Sequence, residues 1–304
     1  MTETPRIFLG LGECMVELAP TPEGALQQGF AGDVFNTLWY CAGALGPGWQ
    51  VRFQTALGTD ALSDEMISFA QAAGIDCSTV PRLPGAMPGL YMIRLTDGER
   101  SFLYWRGQSA ARRMMEDAGL VAAQMIRADV VYLSGVTLAI LPPEARAALI
   151  ALMKQAREAG TLVVFDLNIR PALWEDAEVM RLALTQAAGA ASLVLPSHDD
   201  EASAFGDASP EQTAVRYFDA GTPIVVVKNG AAPVVTRTAQ GMAHHDTPAL
   251  NGPLIDSTAA GDSFNAGFLA EYLRSEDIGA AVRAGQRLAA RVVQGRGALV
   301  ASEE

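Results

Sequence analysis

Six short apolar runs, separated by segments with helical spacing, constrain the fold of this chain more than any other feature. They lie at residues 7–12, 53–57, 130–133, 162–166, 193–195 and 224–228, and each predicts a buried strand. Between several of them the spacing is helical, most clearly at 144–158, ahead of Gly160, and at 211–220, ahead of Gly221. A glycine there supplies the left-handed residue that closes a helix. Strand, helix and Gly-terminated return in alternation predict an α/β protein with a largely parallel central sheet flanked by helices.

Two stretches break the alternation, 14–30 and 77–106. In the second, residues 89–95 and 100–106 flank Thr96-Asp97-Gly98-Glu99, and Asp-Gly between aromatic or β-branched runs predicts a hairpin. Extra strands inserted into an α/β body predict a small projecting sheet, a lid. No repeat, low-complexity tract or hydrophilic linker interrupts the chain, so residues 1–304 are expected to form a single domain that carries the lid.

Half of the 304 residues are hydrophobic and 18% charged, which excludes a disordered chain; 29 Gly and 16 Pro are far too few for collagen. Lys and Arg number 22 against 34 Asp and Glu, a net charge of −12. This argues against a nucleic-acid partner, which calls for a basic face, and favours a small molecule. If that molecule is an anion, a few placed cations and helix N-termini must bind it. Residues 1–13 lack a basic-then-apolar leader pattern and no apolar run reaches the length of a membrane span, so a cytoplasmic protein with no membrane partner is expected. Cys14, Cys41 and Cys77 have neither disulfide nor zinc spacing and are expected to be reduced and mostly buried. His198, His244 and His245 form no ligand pattern and are expected in surface loops; Met114 and Met115 are expected to pack.

The segment richest in chemistry is Ile255-Asp256-Ser257-Thr258-Ala259-Ala260-Gly261-Asp262-Ser263-Phe264-Asn265-Ala266-Gly267-Phe268. A loop of small residues runs into a helix expected from Asp262 to about residue 273, so the N–H groups of Ala259, Ala260, Gly261 and Asp262 can converge on an anion. A transferring phosphoryl group gains most from such fixed donors, and Asp262 is placed to accept the proton of an attacking hydroxyl. An isolated Gly-Asp pair would be read as an ordinary helix N-cap. There is no P-loop and no dinucleotide fingerprint.

This segment resembles the signature of the PfkB (ribokinase-like) carbohydrate kinases, with Ser257 and Ala259 in place of the usual Thr and first Gly. Further matching blocks are 12–18, Ala31-Gly32-Asp33 before Asn36-Thr37, 55–60, 88–91, Tyr104-Trp105-Arg106, 133–135 and Phe165-Asp166-Leu167-Asn168-Ile169-Arg170-Pro171. Together they are most similar to the branch acting on 2-keto-3-deoxygluconate. The resemblance implies a Rossmann-like body with a β-sheet lid, and ATP-dependent phosphorylation of that sugar acid to 2-keto-3-deoxy-6-phosphogluconate. Alternatives are a kinase for fructose or a related deoxyketo acid, and a non-catalytic sugar-acid sensor.

By the same resemblance Asp262 is the base and Ala259, Ala260 and Gly261 form the anion hole. The sugar acid falls to Gly32, Asp33, Asn36, Tyr91, Tyr104, Arg106 and Arg170. A carboxylate calls for a planar guanidinium, and Arg106 and Arg170 are expected to converge on it. Asn168, Ser197, Lys228 and Gly230 fall on the ATP side, Asp200 near Mg2+, and Asp256 and Thr258 where K+ is held in similar kinases. Ala31, Ser197 and Asp200 depart from the family pattern. Exposed lid edges suggest a homo-oligomer.

Overall fold

The computed structural model describes residues 4–21, 23–96 and 99–301. Its strands are β1 (Arg6–Leu11), β2 (Met15–Pro20), β3 (Leu26–Ala31), β4 (Trp49–Gln54), β5 (Ile75–Asp76), β6 (Gly89–Thr96), β7 (Glu99–Trp105), β8 (Val130–Ser134), β9 (Leu162–Asp166), β10 (Leu193–Val194), β11 (Ile224–Val227), β12 (Val234–Thr238) and β13 (Gly241–His245). The α-helices are α1 (Asp33–Ala44), α2 (Ala61–Ala72), α3 (Ala118–Arg127), α4 (Gly135–Ile140), α5 (Pro143–Glu158), α6 (Ala177–Ala190), α7 (His198–Phe205), α8 (Pro210–Asp219), α9 (Ala260–Ser275) and α10 (Ile278–Val292).

Nine strands form the main sheet in the order β13-β12-β11-β10-β9-β8-β1-β4-β5. All pairings are parallel except β11 with β12 and β12 with β13. The expected α/β body is therefore observed. Alternate residues of one strand enter opposite cores: Leu9, Val131, Val163, Phe165 and Val225 join one cluster, while Phe8, Val130, Tyr132, Val164 and Val226 join the other. Burial on both faces is why these strands read as unbroken apolar runs.

The run expected at 53–57 is displaced. β4 ends at Gln54 and begins at Trp49, because its polar alternates Gln50 and Arg52 turn toward Asp76 on the edge strand, at 2.9 and 3.3 Å. Alternating polar residues hide such a strand from a search for apolar runs.

Chain order reverses between β1 and β8: β1 leads to β4 and β5 on one side, and β8 leads through β9 and β10 to β11 on the other. In open parallel sheets the crevice at the carboxyl ends beside such a reversal is the usual ligand site.

A second sheet, β3-β2-β6-β7, carries the lid strands. Two antiparallel hairpins, β2 with β3 and β6 with β7, join through parallel pairing of β2 and β6, Met15 opposite Gly89. Thr96 pairs with Glu99; the Asp97-Gly98 turn between them lies outside the described residues. All lid strands fall within 15–31 and 89–105, and residues 77–88 return toward the body through isolated bridges, Leu57 to Arg82 and Met87 to Ser109. Cys14, Cys41 and Cys77 are free and buried, and Met114 and Met115 are buried in the core. His244 and His245 lie in strand β13 rather than in loops, hydrogen-bonded to Glu211 and Thr236, and His198 opens α7. Among the described residues no helix is long and apolar enough to cross a membrane.

Candidate active site

The carboxyl ends of β8, β9 and β11 bring together a buried polar cluster. Lys228, directly after β11, donates from Nζ to Asp166 Oδ1 at 3.2 Å and to Asn265 Oδ1 at 3.1 Å. Asn265, one turn into α9, donates from Nδ2 to Asp166 Oδ2 at 2.8 Å and to the Tyr132 hydroxyl at 3.0 Å. All four side chains are buried. A buried charge is tolerable only when paired and hydrogen-bonded, so this network fixes where the ammonium points.

Beside it, α1 and α9 meet. Asn36 donates from Nδ2 to Asp262 Oδ2 at 2.8 Å and accepts from the Gly32 N–H at 3.3 Å. The Thr37 hydroxyl reaches the Asp262 carbonyl at 3.3 Å. Asn168, held in the left-handed region at φ 31°, donates to Asp33 Oδ2 at 2.7 Å. Gly32, Asp33, Asn36, Asn168 and Asp262, expected in one site from positions up to 230 apart in sequence, are thus brought together. Asp262 is half-buried. Loss of water, with the negative charges of Asp33 and Asp166 nearby, pushes its carboxyl up to about 8, against the opposing pull of Asn36 and Lys228.

The small-residue loop differs in one respect from its expected form. α9 begins at Ala260, two residues early, because Ala259 adopts a left-handed conformation at φ 58° and closes a tight turn. That turn commits the Ala260 N–H to Ser257 O at 3.2 Å, so Ala260 supplies no donor to an anion. Gly261 and Asp262 keep first-turn N–H groups without intrahelical acceptors. A Cβ at Gly261 would stand 3.4 Å from Lys228 Nζ, so loop and ammonium face the same space. Gly261→Val is expected to raise the KM for ATP and cut kcat by about tenfold or more, with sugar affinity little changed; steady-state kinetics with each substrate varied in turn check this.

Ser197 bridges Lys228 in parallel fashion and caps α7 without a side-chain bond. Gly230 takes the left-handed turn after Lys228 at φ 56°. Asp200, in the first turn of α7, pairs with Arg170 at 3.4 Å, and burial raises its carboxyl above the ordinary range in spite of that arginine.

On the lid, Tyr91 and Tyr104 face each other in register with rings 5.9 Å apart. Tyr91 is buried and donates its hydroxyl to Glu17, while Tyr104 is 53% exposed. Arg106 lies 5.9 Å from the Tyr104 ring and pairs with Glu13. The two arginines expected to converge are instead each engaged by a carboxylate of the chain, Arg106 by buried Glu13 and exposed Arg170 by Asp200. Asp256, too, has partners within the chain. It accepts from the N–H and hydroxyl of Thr258, at 3.0 and 2.7 Å, and from the Gly297 N–H at 2.8 Å. These bonds fasten the loop to the C-terminal segment, and nothing supports a K+ ion there.

Five residues of this site carried no assigned role in sequence: Glu13, Thr37, Tyr132, Asp166 and Asn265. Asp166 and Asn265 did leave a signal, a carboxylate closing an apolar strand and a lone amide in a helix of small and aromatic residues. Thr37 and Tyr132 left none, since their contact spans 95 residues.

The family model for pfkB family carbohydrate kinases matches residues 10–304. A 2-dehydro-3-deoxygluconokinase from Haemophilus influenzae is 39% identical over 297 residues, 95% of this chain and 94% of that protein. The crystal structure of a PfkB protein from Polaromonas sp. JS666 superposes with a TM-score of 0.84 at 29% identity, covering 96% of each chain. A fructokinase with bound ATP from Xylella fastidiosa shares the fold, with a TM-score of 0.80 at 24% identity over 97% of this chain and 94% of that one. The chain belongs to the PfkB family of carbohydrate kinases and is an ATP-dependent phosphotransferase.

Proposed function

We propose that this kinase transfers the γ-phosphoryl group of ATP to the terminal, sixth-carbon hydroxyl of 2-keto-3-deoxygluconate. The observation that carries the reading is the placement of Asp262 in the first turn of α9, bonded to Asn36 of α1 and next to Gly261, which faces the Lys228 ammonium. Asp262 takes the hydroxyl proton, and its raised affinity for protons suits an acceptor of an alcohol proton near neutral pH. The Gly261 and Asp262 N–H groups and Lys228 stabilise charge on the phosphoryl oxygens. Asp33, Asn36 and the Gly32 backbone hold the sugar hydroxyls, Tyr91 and Tyr104 cover it, and Arg106, with Arg170, meets its carboxylate. Ser197, Gly230 and Asn168 line the nucleotide side.

Magnesium would neutralise the phosphates of the nucleotide. Among the described residues no group of three or more His, Cys, Asp or Glu could hold a metal, so the ion would be held chiefly by phosphate and water, with Asp200 as the available carboxylate, as suits Mg2+.

One observation favours a second reading. Arg106 is already paired with Glu13, and an enzyme that kept that pair intact would be a kinase for a neutral ketose such as fructose. A coupled assay of ADP release separates the readings. Magnesium-dependent turnover with 2-keto-3-deoxygluconate well above that with fructose is expected. The reverse order would sink the sugar-acid assignment, and binding without turnover would indicate a sensor. Epimeric acids belong in the same panel. Three reduced thiols suit a cytoplasmic enzyme, and exposed Leu26, Leu103 and Trp105 on the lid suit contact with a second copy of the chain.

A further inference from the structure

Glu13 lies two residues beyond β1, beside the reversal in strand order, and is 2% exposed. Arg106 follows β7 at the base of the lid with its side chain 11% exposed. Two glycines make room for the pair. A Cβ at Gly32 would fall 2.2 Å from the Glu13 carbonyl oxygen, and a Cβ at Gly89 would fall 2.8 Å from Glu13 Oε1 and 3.2 Å from Arg106 Cβ. Body and lid therefore close on this ion pair at the edge of the proposed sugar site.

The pair is incomplete. Arg106 Nη2 donates to Glu13 Oε2, but Arg106 Nε and Glu13 Oε1, both buried, do not bond to each other, and the Ser109 hydroxyl is the other polar neighbour that favours the Glu13 charge. A guanidinium can offer a carboxylate two parallel bonds, and here it gives one. A buried guanidinium without any counter-charge would be far more costly than either arrangement.

We propose that Glu13 is a positioning residue that stands in for the substrate carboxylate on Arg106 in the empty enzyme and yields its hold when the sugar acid arrives. This rests on Arg106 as the carboxylate-binding residue. Glu13 keeps the arginine paired and aimed between turnovers, and its incomplete grip allows a substrate carboxylate making both bonds to displace it. Every acid substrate then competes with an internal carboxylate. A neutral substrate meets no such competition, so Glu13 tunes affinity for acids alone.

Glu13→Gln keeps the shape and the acceptor but removes the charge. The empty enzyme is left with an uncompensated guanidinium that only an acid can neutralise. Wild type, Glu13→Gln, Glu13→Asp and Arg106→Ala are compared by thermal-shift titration, without ATP, against 2-keto-3-deoxygluconate and its methyl ester. Expected for Glu13→Gln are a lower Tm without ligand, a Kd for the acid tighter by about three- to tenfold, and an unchanged Kd for the ester. Glu13→Asp, with a shorter reach, should tighten the acid to a smaller degree, and it decides the matter if the Gln variant does not fold. An acid Kd unchanged or weakened in these variants, with Arg106→Ala still losing acid affinity, overturns the role of Glu13 and leaves the arginine assignment standing. If Arg106→Ala weakens acid and ester alike, the arginine assignment falls and takes this inference with it.

Discussion

Asp262→Asn is expected to lower kcat by about a hundredfold or more while leaving the affinity for the sugar acid within a few-fold of wild type. The amide preserves shape and can still bond to Asn36, so only the ability to accept a proton is removed. A factor of one hundred corresponds to about 2.7 kcal/mol of transition-state stabilisation. The pH profile supplies an independent check. With the Asp262 carboxyl near 8 in the free enzyme, the base is protonated at lower pH, so kcat/KM should rise about tenfold per pH unit up to that point and level off above it. Stability runs the other way. The folded protein holds a proton on Asp262 that the unfolded chain has released above about 4, so folding loses support as pH rises from there toward 8. The Asn variant is spared this loss, and its Tm relative to wild type should increase across the same interval. A variant with near-normal kcat would reduce Asp262 to a structural carboxylate in the first turn of α9.

Arg106→Ala should cost about a hundredfold in kcat/KM for the sugar acid, and Arg170→Ala about tenfold, because the first guanidinium is buried and the second is 54% exposed. Charge-assisted bonds are worth about 1.5 to 3 kcal/mol where water is excluded and less where it is not. The decisive quantity is the ratio of acid to neutral-sugar activity. General unfolding or a damaged ATP site would lower both, whereas loss of a carboxylate clamp penalises the acid alone. Arg106→Ala also leaves Glu13 buried without its partner, a further repulsion toward an anion. Pairing it with Glu13→Gln should recover part of the loss. Lys at position 106 keeps the charge without the planar fork and should restore activity only partly. An unchanged ratio in both Ala variants would remove the physical basis for a sugar-acid kinase.

The parts of the fold that were legible in sequence are those with a local cause. Strands β8, β9 and β11 are buried on both faces and so read as apolar runs; β4, near the sheet edge, alternates with polar residues and was misplaced. Asp262 and its loop were legible because small residues ahead of a helix have a local function. Ala260 was not, since its N–H is consumed by a turn that depends on the backbone angles of Ala259. The Lys228, Asp166, Asn265 and Tyr132 network joins four separate elements, and no spacing rule reports a contact made across three strands and a helix. Glu13 is the hardest case. A carboxylate beside a strand is ordinarily a solvated end, and only the packing of Gly32 and Gly89 shows that this one is buried.

Three of the four joints between lid and body are very short, the fourth being residues 77–88 between β5 and β6. Three residues separate β1 from β2, Gly32 alone separates β3 from α1, and Arg106 comes directly after β7. Gly32, Asp33 and Arg106, proposed to meet the sugar, sit in or next to these short joints, so tilting the small sheet about them would turn Glu13, Asp33 and Arg106 by the same motion. Lengthening a joint by one residue would uncouple that lever, whereas added length between β2 and β3 or between β6 and β7 only extends the sheet away from the body. Inserted sequence should therefore be tolerated at the outer end of the lid and fatal to turnover at its base.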